Sequence, residues 1–202
     1  MKLNLFERML MLNPVRSIAQ RYFESRQLFS MGGPMDGGRA LEIGCGGGSG
    51  AGIITGLFGA DRVDAFDLDP DMVRFARHDK RQRSHPISFW VANTRAIPVG
   101  DEQYDAVFTF GALHHVVDWR SALEEVYRVL KPGGRFYVEE ILKRYITHPF
   151  WGRLMDHPQT DRFDFRDFQQ ALSAAGFSVL KSRSFLDLFG WYIADRPHAV
   201  SR

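Results

Sequence analysis

The sequence predicts an α/β fold on a mostly parallel sheet, and three observations carry that expectation. Short apolar runs alternate with amphipathic stretches from residue 39 onward, the pattern of repeated strand–helix–strand units with right-handed crossovers. The run 104–110, Tyr-Asp-Ala-Val-Phe-Thr-Phe, is almost unbroken apolar sequence, as expected of a central strand covered on both faces. The run 40–43, Ala-Leu-Glu-Ile, opens directly into Gly44-Cys45-Gly46-Gly47-Gly48-Ser49-Gly50, so a buried strand ends in a glycine loop that starts a helix.

Composition bounds the rest. With 202 residues, 45% hydrophobic and 25% charged, the chain is sized for one domain with a full core. A formal net charge of +2 argues neither for nor against an acidic partner, and no nucleic acid is expected. The basic cluster Arg74, Arg77, Lys80, Arg81 and Arg83 lacks the interleaved aromatics of a nucleic-acid surface and reads as a solvated helix end. One cysteine, Cys45, excludes an internal disulfide and suits a reducing, cytoplasmic compartment. No apolar run approaches the roughly 20 residues that span a bilayer. The N-terminus lacks the pattern of a signal peptide.

Residues 1–38 are expected to form an N-terminal helical cap and linker ahead of a main domain over 39–202. Phe6, Met9 and Leu10 mark one amphipathic helix. After Asn13-Pro14, the residues Ile18, Ala19, Tyr22, Phe23, Arg26 and Phe29 mark a second. These helices have three readings. They pack on the domain's own core or a second subunit, close over a site with Tyr22 and Arg26 toward ligand, or touch a membrane surface through Lys2, Arg8 and Arg16. Glycines and Pro34 then punctuate a linker over 31–38.

Within the main domain, Ile53, Ile54, Leu57 and Phe58 give the helix behind the glycine loop its apolar face. A second strand, 62–67, ends in Asp67-Leu68-Asp69-Pro70, with Asp69 placed as N-cap and Pro70 opening a helix whose apolar residues are Met72, Val73, Phe75 and Ala76. A third strand, 87–92, leads into Asn93-Thr94. The strand 104–110 runs into Gly111-Ala112-Leu113-His114-His115. Asp118 is expected to cap a helix with a stripe of Leu123, Val126, Tyr127 and Leu130, stopped by Lys131-Pro132-Gly133-Gly134. A fifth strand, 136–141, carries Glu139-Glu140. The stretch 143–163 breaks the rhythm and reads as an insertion, a lid or substrate wall. Asp164 with Asp167 forms a capping pattern, and Phe163 with Phe168 a hydrophobic staple. Two last strands, 177–184 and 188–194, have a connection short enough to be antiparallel.

Open parallel sheets bind ligands beyond the carboxyl ends of their strands. Glu42 to Gly48, Asp67, Asn93, Phe110 to His115 and Glu139-Glu140 all fall at such ends and converge only in this fold. Bare glycine backbone lets a ligand approach closely. The dinucleotide pattern G-x-G-x-x-G is met only by Gly44 and Gly46, with Ser49 where the third glycine belongs. Glu42 ends a strand that should otherwise be apolar. A carboxylate there makes sense if it holds loop N–H groups or faces a cation such as S-adenosylmethionine, and it would repel a pyrophosphate. Asp67 lies where an acid can accept hydrogen bonds from ribose hydroxyls.

Leu41-Glu42-Ile43-Gly44-Cys45-Gly46-Gly47-Gly48, Phe66-Asp67-Leu68-Asp69-Pro70-Asp71-Met72, Ile97-Pro98, Tyr104-Asp105-Ala106-Val107, Leu113-His114-His115-Val116 and Glu125 to Gly134 together resemble the class I S-adenosylmethionine-dependent methyltransferases. The chain is similar to the small-molecule branch that includes the ubiquinone and menaquinone biosynthesis enzymes. The resemblance spans residues 39 to about 142. It implies a Rossmann-like, seven-stranded sheet in the order 3-2-1-4-5-7-6 with strand seven antiparallel. It implies S-adenosyl-L-methionine as cofactor, S-adenosyl-L-homocysteine as its product, and a small-molecule methyl acceptor, apolar or aromatic. The cofactor residues it implies are Glu42, Gly44, Cys45, Gly46, Gly48, Asp67, Leu68, Met72, Asn93, Thr94, Phe110 and Gly111. The family often has Asp at the place of Asn93, whose amide both donates and accepts.

A general base is needed only if the acceptor must lose a proton. His114 and His115 are candidates for that role or for the pocket floor. Tyr22, Arg26, His115, Arg144 and His148 are the candidate acceptor contacts. No thiolate pair or H-x-x-x-H spacing points to a metal. Two other readings stay open on the residues alone, an NAD-dependent oxidoreductase and a non-catalytic S-adenosylmethionine-binding protein.

Overall fold

A computed structural model describes residues 23–79, 86–147 and 161–198, so Tyr22, His148 and most of the two N-terminal helix signals lie outside the described residues. The elements run α1 (Ser25–Gly32), β1 (Arg39–Ile43), α2 (Ser49–Ile53) continued by a π-helical turn (Ile54–Phe58), β2 (Arg62–Asp67), α3 (Pro70–His78), β3 (Ile87–Val91), β4 (Tyr104–Phe110), α4 (Trp119–Val129), β5 (Leu130–Ile141), α5 (Lys143–Ile146), α6 (Phe165–Ala174), β6 (Ser178–Phe185) and β7 (Phe189–Asp195). The strands form one seven-stranded sheet ordered β3-β2-β1-β4-β5-β7-β6. β1 through β5 pair in parallel, and β7 lies antiparallel between β5 and β6.

Alternation along the strands sends side chains to two covered faces. On one face Leu41, Ile43, Val107, Phe136 and Val138 pack against Trp119, Leu123 and Val126 of α4 and Phe168 and Leu172 of α6. On the other, Ala65, Phe108, Tyr137 and Ile193 pack against Leu28 of α1, Ile54 and Phe58 of the π-helical turn, and Val73 and Ala76 of α3. The described end of the N-terminal region thus lies on the domain's own sheet. Phe29 meets Phe58 at 5.6 Å between ring centroids, and Arg135 Nη1 donates to the Gly32 carbonyl at 2.7 Å.

The amino edge of the sheet is pinned by paired charges. Asp64 accepts from Arg39 Nε at 2.7 Å and from the Tyr104 hydroxyl at 3.2 Å, while the Arg39 guanidinium lies over the Tyr104 ring. Arg128 on α4 donates to the carbonyls of Ile97 and Val99 and to Asp101 and Glu125, which fastens the connection between β3 and β4 to that helix.

Three local expectations change. The fifth strand begins at Leu130 rather than 136, because Leu130 pairs with Tyr104 across a register shift and Arg196 exchanges backbone bonds with Gly133 and Gly134. The helix stops at Val129, so Leu130, expected in its apolar stripe, belongs to the strand instead. Asp118 occupies the N-cap position of α4 but makes no side-chain cap bond; its backbone is left-handed at φ 59°, and its carboxylate accepts from the Ser121 hydroxyl instead. The reciprocal capping box of Asp164 and Asp167 and the Phe163–Phe168 contact form as the residue pattern requires. Among the described residues no helix is long and apolar enough to cross a membrane.

Candidate functional site

The glycine loop joins β1 to α2 and carries the site's first acid. Glu42 is 2% exposed, and its Oε2 has no hydrogen-bond partner. Burial pushes its carboxyl well above the usual range, and the charge of Asp67 adds to that, against a bond from the Ala51 N–H. Gly50 packs so closely on Glu42 Oε1 that an added Cβ would displace the carboxylate. Gly44, at φ 68°, lets the loop meet Ala112 of the loop after β4.

The second acid joins two loops. Asp67 Oδ2 accepts from Gly46 N and its Oδ1 from Asp69 N, both at 2.9 Å. Burial raises its pKa despite these bonds. Asp69 is the N-cap of α3 and accepts from Asp71 N at 3.0 Å, so the capping role belongs to it and not to Asp67. Beside them Leu68 is 44% exposed, while Met72 is buried. Ala92 N donates to Asp67 O at 3.1 Å, which sets Asn93 and the buried Thr94 next to the β2 tip. The Asn93 side-chain oxygen accepts from Arg95 N at 3.0 Å. Cys45 is buried, and burial pushes its thiol up, so it is a small protonated packing group.

The loop after β4 forms the other half. Phe110 is buried behind Gly50, and Gly111 turns at φ 68° to donate to the Glu139 carbonyl at 2.7 Å. Glu140, fully buried at the tip of β5, gathers this loop. Its Oε1 accepts from Ala112 N at 3.1 Å, Leu113 N at 2.8 Å and the Thr109 hydroxyl at 3.2 Å. Its Oε2 accepts from His114 N at 3.3 Å and lies 2.8 Å from His114 Nδ1. Burial lifts the Glu140 carboxyl to about 7 against the pull of those N–H groups. The two histidines therefore differ. The His114 side chain is 3% exposed and held by Glu140, whereas His115 is half-buried and packs on it at 4.1 Å between ring centroids.

Glu42, Asp67, Asn93, Phe110 and the two histidines thus share the carboxyl edge of adjoining strands. The remaining acceptor contacts expected from the sequence are elsewhere or outside the described residues. Arg144 is exposed and donates to the Leu186 carbonyl at 3.0 Å, at the turn between β6 and β7. Arg26 is exposed on α1, and among the described residues no hydrogen bond ties it to the strand tips. The sequence places Glu140 among the strand-end residues that converge on the site but not as the group that gathers the loop after β4, although an acid at the end of an apolar strand is the same signal that singles out Glu42. The donor set suits a cationic, ribose-bearing ligand. An orphaned carboxylate oxygen, bare glycine backbone and a second acid at the neighbouring tip leave acceptors for the ligand, and a cation there would favour the charged form that burial disfavours.

A family model described as a methyltransferase domain matches residues 41–138. The chain is 30% identical to the demethylmenaquinone methyltransferase of Thermus thermophilus, over 69% of this chain and 73% of that one. It is 34% identical to the fatty-acid O-methyltransferase of Mycolicibacterium smegmatis, over 61% of this chain and 44% of that one. It spans about half the length of several curated relatives, the fatty-acid enzyme among them. Its fold matches a SAM dependent methyltransferase from Aquifex aeolicus with a TM-score of 0.76 at 18% identity, covering 96% of this chain and 100% of that one.

Proposed function

The chain belongs to the class I S-adenosylmethionine-dependent methyltransferases, and on that premise we propose that it transfers a methyl group from S-adenosylmethionine to a small apolar or aromatic acceptor. The observation that carries this reading is the buried Glu42, whose Oε2 lacks a partner at the mouth of a glycine loop. The bound cofactor supplies an electrophilic methyl on a positively charged sulfur. The relatives named for a quinone and a fatty-acid substrate favour an apolar acceptor.

In this reading Glu42 balances the cofactor's positive charge and Gly44, Gly46 and Gly48 give its methionine part room. Asp67 accepts from the ribose hydroxyls with the lone pairs that Gly46 N and Asp69 N leave open. Leu68 and Met72 pack on the base, and Asn93 with Thr94 meets its edge. Phe110 and Gly111 back the donor. Glu140 holds the loop that floors the acceptor pocket, and His114 is a positioning residue within it. His115, the more accessible ring, takes a proton when the acceptor must lose one. The chain's main contribution is then alignment of donor and acceptor and exclusion of water. The protein works in the cytoplasm.

Titration calorimetry with S-adenosylhomocysteine and with NADH tests the reading. Micromolar binding of the first and none of the second is expected; binding of NADH alone overturns it. Labelled methyl transfer to a panel of quinols, phenols and fatty acids then separates an enzyme from a non-catalytic binder.

A further inference from the structure

Arg162 lies in the short segment before α6, and two of its guanidinium nitrogens, Nε and Nη1, are buried without a hydrogen-bond partner. Burial pulls its pKa down, and among the described residues no acid opposes that pull. The acids beside it in sequence are committed elsewhere. Asp161 pairs with Arg120 at 2.7 Å, and Asp164 accepts from the backbone N–H groups of Arg166 and Asp167. Arg162 as a residue is half-buried, and taking two guanidinium nitrogens out of water without an acid or carbonyl to meet them is unfavourable; the deficit is removed when a ligand brings the negative charge.

The segment is fixed next to the acceptor side of the site. Trp119 Nε1, at the start of the helix that follows His115, donates to the Asp161 carbonyl at 2.9 Å. Lys143 N, three residues beyond Glu140, donates to the Phe163 carbonyl at 3.0 Å. Arg162 therefore sits between the loop of the two histidines and the tip of β5.

We propose that Arg162 binds an oxyanion, a carboxylate or phosphate, carried by the methyl acceptor, which makes the acceptor an anionic amphiphile rather than a neutral one. The proposal rests on the methyl-transfer reading for the identity of the ligand, but not for the binding itself. The guanidinium is the ion's specific partner, since charge-assisted bonds to a desolvated arginine discriminate strongly against neutral isosteres.

The test uses the full chain, with and without saturating S-adenosylhomocysteine, and three probes: octanoate, octanamide and monooctyl phosphate. Calorimetry is expected to give binding of octanoate or of octyl phosphate at least about tenfold tighter than of octanamide, and the stronger of the two names the oxyanion. Arg162→Met is expected to abolish that preference and leave S-adenosylhomocysteine binding unchanged. It is also expected to raise Tm, because it removes an unmet buried cation. Arg162→Lys should keep part of the preference. Equal binding of all three probes to the wild type overturns the proposal, as does a preference that survives in Arg162→Met or a Tm that falls in that variant. Failure of S-adenosylhomocysteine to bind, with the octanoate preference intact, would instead count against the methyl-transfer reading alone.

Discussion

Two aspartates three residues apart on β2 have opposite company. Asp64, toward the amino edge of the sheet, has a guanidinium and a phenol hydroxyl. Asp67, at the carboxyl edge, has two backbone N–H groups and, among the described residues, no cation. The contrast extends along both edges. Asp105 pairs with Lys131 and Asp195 with Arg135 on the amino side, each at 2.7 Å. Glu42, Asp67 and Glu140, on the carboxyl side, are met by backbone amides, the Thr109 hydroxyl and a histidine, and burial raises the pKa of all three. One edge neutralises its own acids and holds the strands together. The other leaves buried acids without cations, where only a loop or a ligand can answer them.

The largest departure from that contrast is expected at Glu140. Glu140→Ala strips the acceptor from three loop N–H groups and from His114, and should lower unfolding stability by about 3 kcal/mol or more, read by urea denaturation. Its pH dependence has a definite sign. The folded carboxyl titrates at about 7 and the ordinary value for an unfolded glutamate is 4.5, so the fold binds the proton more tightly. That contribution is complete below about 4.5 and is lost as pH rises through about 7. Glu140→Gln should flatten the decline. A decline of unchanged slope in Glu140→Gln would mean that another group sets it.

Next in size, Asp67→Ala should weaken S-adenosylhomocysteine binding by about 100-fold, while Asp64→Ala lowers Tm and leaves the dissociation constant alone. Equal loss of affinity in both variants would erase the distinction between the two edges. A smaller change is expected of Glu42→Gln, about tenfold for S-adenosylmethionine and less for S-adenosylhomocysteine, which lacks the sulfonium charge. Since burial raises the Glu42 carboxyl above its ordinary range, wild-type affinity for S-adenosylmethionine should rise with pH as that group ionises, and this variant should lose the rise. The smallest effect is Asn93→Asp, within about threefold in affinity, because its side-chain oxygen already serves Arg95 N and either residue supplies that oxygen.

The two halves of the site are not equally legible in the sequence. Glu42, the glycines and Asp67 can be read because the groups that define them are near in the chain and few residue types suit the backbone there. Asp164 and Asp167 are readable for the same reason. Asp118 misleads: nothing in its neighbours announces a left-handed backbone, and the Ser121 hydroxyl displaces the backbone cap. Glu140 is visible only as an odd acid at a strand tip, since its partners lie more than twenty residues upstream. Arg162 gives no signal at all. An arginine in a polar stretch looks solvated until the fold removes its water and both neighbouring acids find other partners.

The wide turn over Ile54–Phe58 separates chain length from the aim of the glycine loop. A π-helical turn accommodates one residue more than an α-helical turn in the same run of helix. Omitting the exposed Gly56 should let the segment relax to ordinary pitch while the residues before it keep their direction. The amides at Gly46 and Gly48 would then stay on axis, because the surplus residue is taken up inside the turn. A variant one residue shorter at this spot should therefore keep both its sheet and its ligand.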